Sequence, residues 1–185
     1  MTIDRRMFLR IGACGAAGLG LAGLGLADPP FEVGEITPLL LRGGADGLSL
    51  VAPIDDPAYV LARPTLALRG GFFMGNALTM NRRMPALAER LKARTAVVFI
   101  GVGQAVDIRE HDSACAPLHQ EFPGSLTMTG WDTHAHDGPA DQGPLGELAS
   151  ELDQRLADLT RADPDRTILA ITEFGRGIRS GGLGG

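Results

Sequence analysis

The densest chemistry in the chain lies between Trp131 and Asp137. There Asp132, His134, His136 and Asp137 place two carboxylates and two imidazoles within six positions. In an extended stretch alternate side chains share a side, so Asp132, His134 and His136 point the same way. Carboxylate oxygens and neutral imidazole nitrogens suit a divalent ion: zinc, manganese or magnesium. The same stretch also reads as a polar surface loop. All four histidines lie between 111 and 136, and His111 is a further candidate metal ligand.

Other candidates follow apolar runs. Thr37–Leu41, Ala96–Val102 and Thr167–Thr172 are nearly continuous, as strands covered on both faces are. In open α/β sheets, ligands sit beyond the carboxyl ends of the strands. After the first run comes Arg42-Gly43-Gly44-Ala45-Asp46-Gly47. It lacks the Walker lysine and the dinucleotide-binding spacing, so it reads as a tight turn that presents Asp46. Ser49, close by, is a candidate nucleophile or a strand-edge serine. After the second run a loop reaches His111. After the third comes Glu173-Phe174-Gly175-Arg176. Glu173 is a candidate metal ligand. Arg176 suits the clamping of an oxyanion such as phosphate or sulfate, and equally suits a surface. Asp55, Asp56 and Pro57 read as a plain turn.

Helices must lie between these strands. Met84, Leu87, Ala88 and Leu91 recur at helical spacing, and Pro85 suits a helix start. Leu145, Leu148, Leu152, Leu156 and Leu159 form a stronger stripe opened by Pro144. Glu147, Glu151, Asp153, Arg155 and Asp158 are expected on its opposite, solvent face. Asp163-Pro164-Asp165 is a turn into the third strand. The order is strand, loop, helix, strand, irregular segment, helix, strand, which predicts an α/β fold with a mostly parallel sheet.

Composition narrows the classes further. The chain has 185 residues, 17 basic and 22 acidic, for a formal net charge of −5. With 44% hydrophobic residues it is too apolar to be disordered throughout. The acidic balance and a single lysine, Lys92, argue against a nucleic-acid partner. Two cysteines exclude a disulfide scaffold, and Cys115 is expected to be a buried small side chain.

Residues 1–27 read as an export leader. Arg5 and Arg6 precede Met7-Phe8-Leu9, a glycine-softened apolar run follows, and Gly25-Leu26-Ala27 offers a cleavage site. The paired arginines predict the twin-arginine translocation machinery as a partner and a periplasmic or secreted destination. An N-terminal membrane anchor is the other reading of this run. Residues 28–185 would then form the mature chain.

Several motifs occur together in one order. They are the leader, Leu41-Arg42-Gly43-Gly44-Ala45-Asp46-Gly47-Leu48, Asp56-Pro57-Ala58-Tyr59 with Arg63-Pro64-Thr65-Leu66, Gly130-Trp131-Asp132-Thr133-His134, and Glu173-Phe174-Gly175-Arg176. In this the chain resembles the exported bacterial proteins of domain-of-unknown-function family 1501. That family is grouped with the alkaline phosphatase and sulfatase superfamily. The resemblance covers about 40–180, with gaps. It implies an α/β/α sandwich with divalent metal ions at the strand ends. It also implies hydrolysis or transfer of phosphate or sulfate esters, with a small anionic ester as substrate. Asp46 would match the first-strand ligand, Asp132 and His134 a central pair, and Glu173 a later acidic ligand. Their roles would be Lewis-acid activation of an ester oxygen and stabilisation of the leaving group.

The chain also departs from that pattern. Arg109-Glu110-His111 stands where family members carry Arg-Ser-His, so a candidate serine nucleophile is replaced. The interval from there to Gly130 is short, and no Asp-His-Gly motif follows the glycine-rich 181–185. The expectation is a partial alkaline phosphatase-like sandwich, truncated and internally deleted. Two further readings stay open. One is a non-catalytic exported binding or assembly protein. The other is an amidohydrolase-like metal enzyme, suggested by His134-Ala135-His136. The barrel of that class takes about 250 residues, and 49 follow His136.

Overall fold

The computed structural model describes residues 35–75, 77–98, 111–133 and 139–172. Residues 1–27, read above as an export leader, and His134, His136, Glu173 and Arg176 lie outside the described residues. So does most of the expected strand Ala96–Val102, and residues 96–98 carry no regular secondary structure.

Three strands form a parallel sheet: β1 (Ile36–Leu41), β5 (Leu126–Met128) and β6 (Thr167–Thr172), in the order β5-β1-β6. The first and last are the apolar runs that the sequence marks as strands. The middle strand carries Pro38, which has no N–H to give to a ladder. The register explains why it is tolerated. The Arg42 N–H donates to the Met128 carbonyl, at the β5 side. N–H groups two residues apart point the same way along a strand, so the Pro38 nitrogen also faces that side. Pairing with β5 begins one residue later, at Leu39 opposite Leu126.

A second sheet is antiparallel: β2 (Val51–Ala52), β4 (Leu78–Asn81) and β3 (Gly71–Gly75), in the order β2-β4-β3. The expected mostly parallel sheet is therefore only half of the strand content among the described residues. The fold is mixed α/β with one parallel and one antiparallel sheet. The irregular segment expected between the second strand and the second helix holds, among the described residues, β5 and a helix, α4 (His111–Glu121).

The remaining helices are α1 (Gly47–Leu50), α2 (Pro57–Ala62), α3 (Pro85–Lys92) and α5 (Gly143–Ala162). In α5 the predicted stripe faces inward: Leu145 and Leu152 are buried, and Leu148, Leu156 and Leu159 pack against the core. Burying one leucine side chain contributes about 2 kcal/mol, and a side-chain cap about 1 kcal/mol. The N-cap residue Gln142 makes no side-chain cap bond, so the stripe and not the cap holds this helix in place. The core joins all layers. Leu39, Leu41, Met128 and Trp131 come from the parallel sheet and its edge, Val51 and Met80 from the second sheet, and Met84, Ala88, Ala149 and Leu152 from α3 and α5.

One charge departs from its expected place. Asp153 is not on the solvent face of α5; it is 6% exposed. Its carboxylate accepts the Ala86 N–H at 3.0 Å and the Leu87 N–H at 2.8 Å, in the first turn of α3. Pro85 opens that helix, and its N-cap residue Met84 offers no acceptor. An acid from another helix thus satisfies donors that α3 leaves bare. Glu147, Glu151, Arg155 and Asp158 are exposed as expected.

Candidate functional site

The carboxyl ends of all three parallel strands finish level. Leu41 is paired with Met128 on one side and with Thr172 on the other. The turn after β1 is bonded to both neighbours. The Arg42 N–H donates to the Met128 carbonyl at 2.9 Å, and the Trp131 N–H donates to the Arg42 carbonyl at 3.3 Å. The Ala45 N–H donates to Thr172 Oγ1 at 2.8 Å.

Glycine is required at one point of this edge. Gly43 has φ +116°, and a Cβ there would lie 2.2 Å from the Asp132 nitrogen. The first turn therefore rides directly on the backbone of the Trp131–Asp132 segment. Trp131 is fully buried beneath it, and Asp132 is exposed. The structure thus brings Asp132 beside the glycine turn and the end of β6. Glu173 follows Thr172 in sequence, outside the described residues.

Asp46 takes a different position from the one its metal-ligand reading needs. It is 2% exposed. Arg63, itself 1% exposed, donates Nη2 to Oδ1 at 2.9 Å and Nη1 to Oδ2 at 2.5 Å. Ser49 Oγ also donates to Oδ2. A carboxylate has about four lone-pair sites, so most of its accepting capacity is used. Its charge is matched by a guanidinium in the bidentate geometry that carboxylates favour. The residues present do not fit a divalent ion at Asp46. Ser49 is 1% exposed with its hydroxyl turned to Asp46. It holds the aspartate and is not presented to an external ester.

The strap carrying Arg63 is built locally. Asp56 caps α2 by accepting the Ala58 N–H at 2.8 Å, with Pro57 in the first turn. What read as a plain turn is therefore a helix start. Tyr59 is buried on the inner side of α2. Its hydroxyl donates to the Leu48 carbonyl at 3.1 Å and accepts the Leu68 N–H at 2.8 Å. Burial raises the Tyr59 pKa, and the bond from Leu68 only partly offsets this. The Ala67 N–H donates to the Arg63 carbonyl, which folds the end of the strap back.

The other candidates scatter. His111 is the first residue of α4. Its neighbour Asp112 accepts from Arg42 Nη2 at 2.6 Å, but both side chains are well exposed. Such a pair contributes about 0–1 kcal/mol, so the backbone bonds and not this bridge fix the edge. Cys115 is buried, as expected. Among the described residues, no group of three or more His, Cys, Asp or Glu side chains converges.

Arg63 is the residue that sequence reasoning missed. A signal was present, since a lone arginine sits between the apolar stretches Tyr59–Ala62 and Leu66–Leu68. A charge in such company needs a buried partner. Compared with known proteins, the chain matches no family model, no curated protein and no solved structure.

Proposed function

We propose that the chain is an exported α/β protein of the alkaline phosphatase and sulfatase type, acting on small phosphate or sulfate esters at the carboxyl edge of its parallel sheet. One observation carries this reading. The three strand ends finish level and their loops are bonded together, with Asp132 exposed beside the Gly43 turn. That is where open α/β sheets hold ligands. A divalent ion, zinc, manganese or magnesium, would polarise the ester. Asp132 is the proposed ligand among the described residues; by sequence, His134, His136 and Glu173 complete the set and Arg176 is the proposed anion-binding residue. The leader assigns delivery to the twin-arginine machinery and a periplasmic or secreted place of action.

The test is turnover of p-nitrophenyl phosphate and p-nitrophenyl sulfate by the exported protein, with metal content measured in parallel. Turnover that stops with chelator and in Asp132→Ala, together with loss of the metal, is the expected result. A folded protein that retains its metal in Asp132→Ala would show the ligand assignment to be wrong.

A second reading is a non-catalytic exported binding or assembly protein. The observation favouring it is the engagement of Asp46 by Arg63, with Ser49 turned inward. Metal-loaded, folded protein without turnover of either ester would select it.

A further inference from the structure

We propose that the Arg63 guanidinium is the resident cation of Asp46. The aspartate at the end of β1 then clamps the strap 53–68 to the sheet edge and takes no part in binding a metal. This stands on the geometry of the pair and not on the ester-hydrolase reading.

Both oxygens of Asp46 face the two Nη atoms of Arg63, and the two side chains are 3% and 1% exposed. A metal at this carboxylate would have to displace the guanidinium. Arginine cannot shed its proton in a protein. The displaced charge would stay buried and would face an incoming divalent ion of the same sign. A buried charge stripped of its partner is strongly disfavoured. A lysine or histidine could leave such a site neutral; an arginine cannot.

The stem of Arg63 is also held in advance. The Arg63 N–H donates to the Tyr59 carbonyl, and the Ala67 N–H returns to the Arg63 carbonyl. Tyr59 is fixed at both ends, by Leu48 and Leu68. The guanidinium therefore approaches Asp46 from a rigid strap. On the other side of Asp46, Ala45 is bonded to Thr172 and Gly43 lies against Asp132. Arg63 is thus a positioning residue. It sets the height of the glycine turn, and the turn sets the backbone of Asp132.

The experiment uses the full chain and two readouts. The first is the NMR signal of the Arg63 Nη protons in the native protein. They are expected to exchange slowly, to be non-equivalent, and to stay unmoved in saturating Zn²⁺ or Mg²⁺. The second is thermal melting of Arg63→Ala. Millimolar methylguanidinium is expected to raise its Tm toward the native value, while methylammonium, Zn²⁺ and Mg²⁺ do not. Averaged Arg63 signals in the native chain would overturn the inference. So would Zn²⁺-dependent shifts of those signals, or a folded Arg63→Ala that ignores methylguanidinium and is stabilised by Zn²⁺. Should Arg63→Ala fail to fold, the native signals decide alone. Fixed Arg63 signals in a protein that turns over no ester would leave this inference standing while the hydrolase reading falls.

Discussion

Two buried aspartates, Asp46 and Asp153, solve the same problem in opposite ways. Each is almost wholly out of solvent, and each lies where a bare carboxylate would be costly. Asp46, at the end of β1, is neutralised by a full positive charge on Arg63. Asp153, in the middle of α5, instead accepts two backbone N–H groups at the start of α3. One site is an ion pair, the other a carboxylate on a helix N-terminus, where the partial charge is about half an elementary charge. The difference shows what each can lose. Removing the partner of Asp46 strands a whole charge. Removing Asp153 strands two neutral donors.

The largest effect should follow from breaking the ion pair. Arg63→Met leaves Asp46 buried without its counter-charge, and a loss of about 3–5 kcal/mol in urea unfolding is expected. Adding Asp46→Asn to that variant should restore part of the loss, because the stranded charge is then gone. A double variant no better than the single one would mean that packing of the arginine stem, and not charge, holds the strap.

Asp153→Ala should cost less, about 1–3 kcal/mol, the penalty for buried donors left unmade. Asp153→Asn keeps one acceptor and should lie between the native protein and the alanine variant. If Asp153→Ala proved as damaging as Arg63→Met, the contrast between the two sites would collapse. Hydrogen exchange at Ala86 and Leu87 reads the same change locally.

The smallest effect near neutral pH concerns Tyr59, beneath the Arg63 strap. Burial raises its pKa above the ordinary value of about 10. The folded protein therefore favours the neutral phenol. That contribution is fully present below the unfolded value and is lost as pH rises through the higher folded one. Stability should hold steady up to about pH 10 and then fall. Tyr59→Phe should flatten this alkaline decline while lowering stability throughout, because the Leu48 carbonyl and Leu68 N–H lose their partner. An unchanged alkaline slope in the phenylalanine variant would assign the decline to other groups.

What could be read in advance follows from how strongly each element is written into the residues. β1 and β6 are nearly continuous apolar runs, and α3 and α5 carry helical stripes, so their places were legible. β5 is three residues, too short for any period to appear. The hairpin of β3 and β4 is glycine-edged and only four to five residues per strand. In α4 a proline, Pro117, sits inside the helix, polar residues fill both ends, and no apolar stripe stands out. Asp153 was misplaced because its charge outweighed its position. It lies four residues after Ala149 and three before Leu156, which puts it on the inward side of the helix. At the site, the glycine turn follows the rule for strand ends; its nearness to Asp132 comes through β5, which the sequence did not mark as a strand. The partner of Asp46 does not, because Arg63 arrives from a separate segment, 17 residues on. Residue types at one place cannot name a counter-ion supplied from another.

The bond from the Ala45 N–H to Thr172 spans 127 residues of chain. β1 is the central strand of the parallel sheet, yet β6 on one side is made last among the described elements. At about 5–20 residues per second of synthesis, β1 leaves the ribosome on the order of ten seconds before that partner. Its leucines must wait in an unfinished chain, and closing so long a loop is slow. The edge that gathers the candidate site is therefore assembled only once the chain has been made through Thr172, and chaperone demand should centre on the interval when β1 has no β6 to pair with.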